Sequence, residues 1–137
     1  METIPNPLVG KIVESVTSDY PEEQSVNYNM YATGNKDIEI SKKVKQSIGE
    51  KILLYEVRLF GSRARGEAST DSDLDLYLET GPISREQRRL ISDLVWEIGF
   101  ENDIVISPLV IPQSEARNGA FSVSTLCKAI KTEGISI

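Results

Sequence analysis

Apolar residues recur along the chain in two periods, and the switches between them mark helices and strands. Leu8, Val9, Ile12, Val13 and Val16 fall at helical spacing, with Asn6 placed as an N-cap and Pro7 at the first helical position, which predicts a short amphipathic helix ending near Tyr20 and Pro21. Val26, Tyr28 and Met30 alternate with Asn27, Asn29 and Tyr31, the period of a strand, before Gly34 closes the piece. From Asp37, read as an N-cap, Ile40, Val44 and Ile48 form one helical stripe that stops at Gly49. Residues 52–60 read as a buried strand, and Leu74, Leu76 and Leu78 alternate with polar positions on a second. Residues 82–99 give the clearest helix: Ser84 and Gln87 have capping-box spacing, and Leu90, Ile91, Leu94, Val95 and Ile98 make its apolar face, flanked by Trp96. A third strand is expected over 103–110, and a last helix from about Ser122 turns Val123, Leu126 and Ile130 inward before Gly134. The order helix, strand, strand, helix, strand, helix predicts an α/β (α+β) fold, a small mixed sheet with helices packed mainly on one face.

The polar positions of the second strand carry the chemistry. Side chains alternate along a strand, so Asp73, Asp75 and Tyr77 share one face while the leucines fill the other. Two residues of rise separate the aspartates by roughly 7 Å, close enough for both carboxylates to hold hard cations. Without a cation they repel and raise each other's pKa. Upstream, Gly61 permits close backbone approach, and its neighbour Ser62 offers a hydroxyl and an amide to phosphate oxygens. Two other motifs fail on residues. The glycines at 61 and 66 have P-loop spacing, but Glu67 and Ala68 stand where Lys and Ser/Thr are needed. The stretch from Asp71 imitates an EF-hand opening, yet Leu76 and Pro82 stand where Gly and Glu are needed.

Composition narrows the chemistry further. A net charge of −6 and a pI near 4.7 argue against broad nucleic-acid binding, which needs a basic face. The chain has no His, which removes His-dependent triads and His-ligated zinc, and its single Cys127 cannot form an internal disulfide. One cysteine fits a reducing compartment. No targeting segment is evident, and the longest uncharged apolar run, 104–112, is far short of the roughly 20 residues that span a bilayer. A cytoplasmic protein of 137 residues, without a membrane partner, is the expectation.

Gly61-Ser62, the ten residues 63–72, then Asp73-Leu74-Asp75-Leu76 resemble the signature of the nucleotidyltransferase superfamily of the DNA polymerase beta type. The likeness is greatest to its minimal nucleotidyltransferases, some of which act as antitoxins beside HEPN-type proteins. The tail from Cys127 to Ile135 is similar to the closing helix of that family. The resemblance implies the nucleotidyltransferase fold over 37–137, with 1–36 as an extension beyond it. It implies transfer of a nucleoside monophosphate, AMP from ATP, to an acceptor hydroxyl with loss of pyrophosphate. Asp73, Asp75 and a third carboxylate, Asp103, would be catalytic and bind metal, two Mg2+ ions or Mn2+ in their place, with Glu101 the rival for the third position. Gly61, Ser62, Arg63 and Arg65 would bind the nucleotide. Lys128 and Lys131 could reach the triphosphate from the last helix, although lysines at this spacing more often only solubilise a surface.

A chain this short has no room for a large acceptor domain, so the acceptor is expected on a protein partner, a hydroxyl side chain of a HEPN-type toxin. Two alternatives stand beside this reading. One is a catalytically silent antitoxin that neutralises its partner by occlusion. The other is a small-molecule nucleotidyltransferase whose site is completed by a homodimer.

Overall fold

Leu74, Leu76 and Leu78 are all fully buried, and the sheet is built around the strand that carries them. The computed structural model of the protein describes residues 34–137, so the helix expected at 6–20 and the strand expected at 26–31 lie outside the described residues. The elements in chain order are α1 (Asn35–Gly49), β1 (Leu54–Phe60), β2 (Leu74–Thr80), α2 (Arg85–Glu101), β3 (Ile106–Pro112), α3 (Gln113–Asn118), a 3-10 turn (Ala120–Val123), α4 (Thr125–Glu133) and β4 (Ile135–Ser136). They form a four-stranded mixed sheet in the order β3-β2-β1-β4. β1 runs antiparallel to β2, with Phe60 opposite Asp75 and Leu59 opposite Leu76. β3 runs parallel to β2, with Ser107 opposite Asp75, and β4 adds two residues to the far edge of β1.

The two faces of β2 seed two cores. Its leucines pack with Val57 and Leu59 of β1 against Ile40, Val44 and Ile48 of α1 and Ile91 and Val95 of α2. Each side chain removed from water in this way contributes roughly 1.5–3 kcal/mol. On the other face Tyr77 packs with Ile111, Ala116 and Ile130, so the short C-terminal helices cover part of the face opposite the two long ones. The Tyr77 hydroxyl donates to buried Glu79 at 2.7 Å, and Gln113 Nε2 donates to the other Glu79 oxygen at 3.3 Å. The Tyr77 ring stacks on Phe121 at a centroid distance of 5.9 Å. Burial, then the Glu79 carboxylate, pushes the Tyr77 hydroxyl far above the usual tyrosine range.

The capping box that opens α2 is formed as its spacing implies: Gln87 N donates to Ser84 Oγ and Ser84 N donates to Gln87 Oε1. Its other end corrects the expected strand start. Asn102 caps the helix, Asp103 N donates to Phe100 O at 3.4 Å and Ile104 N donates to Gly99 O at 3.0 Å, the bond pair of a Schellman motif. Asp103 takes the left-handed position of that motif, with φ 57°. Asp103 and Ile104 therefore complete a helix end, and β3 begins only at Ile106. Gly99 is needed here because a Cβ would lie 2.5 Å from the Ile104 carbonyl oxygen.

β3 also runs further than expected, to Pro112, because its prolines sit where they cost no sheet bond. Leu74 N donates to Val105 O, so the odd-numbered positions of β3 face β2 and the even-numbered ones face outward from this edge strand. Pro108 and Pro112 both fall outward. The last helix is corrected in phase. Its N-cap is Ser124, Val123 is 82% exposed and Leu126 is 44% exposed, while Cys127 and Ile130 turn inward. At the start of α1 the N-cap position is Gly34, and Asp37 lies within the first turn. No helix among the described residues is long and apolar enough to cross a membrane.

Two stability measurements check these assignments. Tyr77→Phe leaves the buried Glu79 carboxylate short of a donor and should cost roughly 1–3 kcal/mol in urea unfolding, where an unchanged midpoint would deny the bond a structural role. Asp103→Ala puts a Cβ-bearing residue without a polar tip in the left-handed position and should cost about 1 kcal/mol, whereas Asp103→Gly should not.

Candidate active site

The site is assembled where β1 ends. After Phe60 the chain turns at Gly61, with φ 80°, and a Cβ there would collide with the Asp75 carboxylate. Glycine is required twice over, for the backbone conformation and for the close approach. The antiparallel register delivers that approach, since Phe60 lies opposite Asp75. Asp73 sits just before β2, two residues from Asp75. Partial burial raises the Asp75 pKa, the charge of Asp73 raises it further, and Arg65 opposes both.

Arg65 is tied to the same turn. Its backbone N donates to Gly61 O at 3.2 Å, and its exposed guanidinium donates to Glu67 at 2.9 Å and to Glu133, the last residue of α4, at 3.5 Å. Ser62 lies between them, its carbonyl accepting from Glu67 N at 2.9 Å. The structure thus brings Gly61, Ser62, Arg65, Asp73 and Asp75 to one end of the sheet.

Two other candidates are placed elsewhere. Arg63 turns away from the carboxylates: Nη1 donates to both Asp37 oxygens at 3.0 and 3.1 Å, Nε to Ser72 O at 3.0 Å and Nη2 to Thr70 O at 3.3 Å. Every nitrogen of its guanidinium has a protein acceptor, so it braces the loop against α1. Asp103 does not join the sheet carboxylates either, because it completes the Schellman turn at the end of α2. The β3 residue level with Asp75 on the same face is Ser107, and among the described residues no group of three acidic, Cys or His side chains could hold a metal. Its rival Glu101 is an exposed residue in the last turn of α2, and Lys128 and Lys131 are exposed on α4. Glu133 escaped the sequence reading, and its one signal was its place in the tail resembling the closing helix.

The donor set fits a hard cation. Two carboxylates supply oxygen ligands, their repulsion is what a divalent ion relieves, and Mg2+ commonly takes one or two protein carboxylates with the remaining ligands from water and substrate phosphates.

A family model described as a nucleotidyltransferase domain matches residues 39–132. Two candidate protein adenylyltransferases of Methanocaldococcus jannaschii are similar to the chain. One is 35% identical over 77 residues, 53% of this chain and 77% of its own length. The other is 34% identical over 71 residues, 49% of this chain and 71% of its own length. Among solved structures, a mutant of the toxin-antitoxin MntA-HpeT aligns with a TM-score of 0.46 and 19% identity, covering 73% of this chain and 70% of that one. With the match to the domain model spanning most of the chain, the protein belongs to the nucleotidyltransferase domain family and is a nucleotidyltransferase enzyme.

Proposed function

We propose that the protein transfers AMP from ATP to a hydroxyl side chain of a protein partner, and that residues 37–137 form the transferring domain. The observation that carries this reading is the Gly61 turn set against the Asp75 carboxylate, with Asp73 beside it. In the reaction the acceptor oxygen forms a bond to the α-phosphorus, the bond from that phosphorus to the bridging oxygen breaks, and pyrophosphate leaves. The hydroxyl proton passes to solvent. Asp73 and Asp75 would hold Mg2+, or Mn2+ in its place, which when bound neutralises phosphate charge and acidifies the acceptor hydroxyl. The Gly61 amide and Ser62 hydroxyl bind the outer phosphates. Arg65, exposed and held by Glu67 and Glu133, donates paired hydrogen bonds to the departing pyrophosphate.

The choice of a protein acceptor is supported by the names of the two similar archaeal proteins. That the partner is a HEPN-type toxin, neutralised by the modification, rests on the family resemblance. A cytoplasmic setting fits the lone, buried Cys127.

The reading is tested in two steps. Thermal shift should show ATP stabilising the protein with Mg2+ present and little without it, and Asp73→Asn and Asp75→Asn should fold but lose the Mg2+-dependent part. Gly61→Ala should lose it as well, because its Cβ displaces the Asp75 carboxylate. Intact-mass analysis of a co-expressed HEPN-type partner should then show added AMP, with the rate lowered roughly a hundredfold or more in Asp75→Asn. Equal ATP shifts with and without Mg2+, or a tightly bound partner whose mass never changes, would overturn the transferase reading.

A further inference from the structure

Trp96 and Phe100 lie one turn apart on α2, with rings stacked at 5.3 Å, yet they are 69% and 73% exposed. They flank an open groove of about 820 Å3 between α2 and β3. Val95, Ile106 and Pro108 line it, together with Asp71, Ser72 and Asp103. Ser72 directly precedes Asp73, so the groove runs up to the candidate active site.

We infer that this groove is where the acceptor protein docks, and that the docking segment is an amphipathic helix with basic residues beside its apolar face. The inference rests on the transferase reading for the word acceptor. Three observations select the occupant. First, strand addition is blocked at the adjacent edge: the outward positions of β3 include Pro108 and Pro112, which have no N–H, and the outward carbonyl of Val110 accepts from Arg88 Nη1 at 3.5 Å. What remains is docking by side chains, for which a helix presenting residues at i, i+3 and i+4 is suited. Second, exposed aromatics over an apolar floor are the usual anchors of such contacts. Third, Asp71 and Asp103 stand at the rim, and no lysine or arginine lines the groove among the described residues, so complementarity calls for a cation on the incoming helix.

The same charge argument disfavours self-occupation. Residues 1–33 contain Glu2, Glu14, Asp19, Glu22 and Glu23 against Lys11 alone, and a second copy brings a net charge of −6.

Trp96 is the only tryptophan of the chain, so its emission reports the groove directly. The probes are a synthetic leucine-lysine amphipathic helical peptide and its leucine-glutamate counterpart, titrated into the full chain. The expected result is a saturable blue shift with the lysine peptide, a Kd at least tenfold tighter than for the glutamate peptide, and weakening of at least threefold in both Phe100→Ala and Asp71→Asn. No Trp96 response, equal affinity for the two peptides, or unweakened binding by Phe100→Ala would overturn the proposal. So would a Trp96 emission already blue-shifted and shielded from iodide in the free protein, which would mean that the chain's own N-terminal segment or a second copy fills the groove. The Mg2+-ATP thermal shift of Phe100→Ala and Asp71→Asn should match that of the parent. Loss of peptide binding with that shift intact removes the docking site and leaves the transferase, whereas absence of the shift in the parent itself removes the transferase reading and with it the acceptor role of the docked helix.

Discussion

The segment joining β1 to β2 has neither strand nor helix of its own, and its shape rests on the Arg63 guanidinium. That one side chain reaches Asp37 of α1 and the carbonyls of Ser69, Thr70 and Ser72 together. Both partners of the ion pair are nearly buried, with 12% and 11% of their side chains exposed. A charge so far out of water is tolerated only when paired and fully hydrogen-bonded, and removing one partner of a buried pair generally costs about 3–5 kcal/mol. Lysine cannot substitute, because a point charge cannot span a carboxylate and three separate carbonyls as the planar fork does. With Ser72 fixed, the position from which Asp73 projects is fixed too.

Against that rigid loop the carboxylates are left in an unfavourable state. Asp73 and Asp75 share one face, burial disfavours the charge on Asp75, and Gly61 closes over it from β1. Arg65 relieves part of this, but it is exposed and shared with Glu67 and Glu133. Solvent screens such exposed pairs strongly, so Arg65 is a weak counter-charge for the site. The local charge is thus only partly offset within the protein, and the proposed divalent cation would relieve it at the carboxylates while Arg65 stays free to change partners.

What the sequence made legible was local. The alternating leucines, the helical stripe of α1 and the capping box at Ser84 and Gln87 depend on residues within a few positions of one another, and all three formed. Asp37 was misread as an N-cap, and its pairing with Arg63 escaped notice because the two satisfy each other across 26 positions, a pairing no local pattern encodes. Asp103 was misread because Asp103-Ile104-Val105-Ile106 has the look of a strand opening, while the Schellman bonds to Gly99 and Phe100 claim Asp103 and Ile104 for the helix end. In α4 the apolar character of Val123 and Leu126 set the wrong phase. The 3-10 turn before it shifts the helix start to Thr125, and Cys127 takes the inward position beside Ile130, the one residue of the three expected inward that is buried.

Ser107 facing Asp75 leaves the sheet with two acidic positions at the site, and so with little of its own chemistry to orient an acceptor. Orientation must then come from where the acceptor is held. The loop from Ser69 to Asp73 ends at the candidate carboxylate Asp73, while its Asp71 and Ser72 line the aromatic groove. Because Arg63 grips the carbonyls on either side of Asp71, a partner docked there as proposed would be held in fixed relation to the carboxylates. Misplacement by even about 1 Å is costly in a transfer reaction, so the Arg63-braced loop, shared by the candidate site and the proposed docking groove, would tie the position of the docked acceptor to that of the carboxylates.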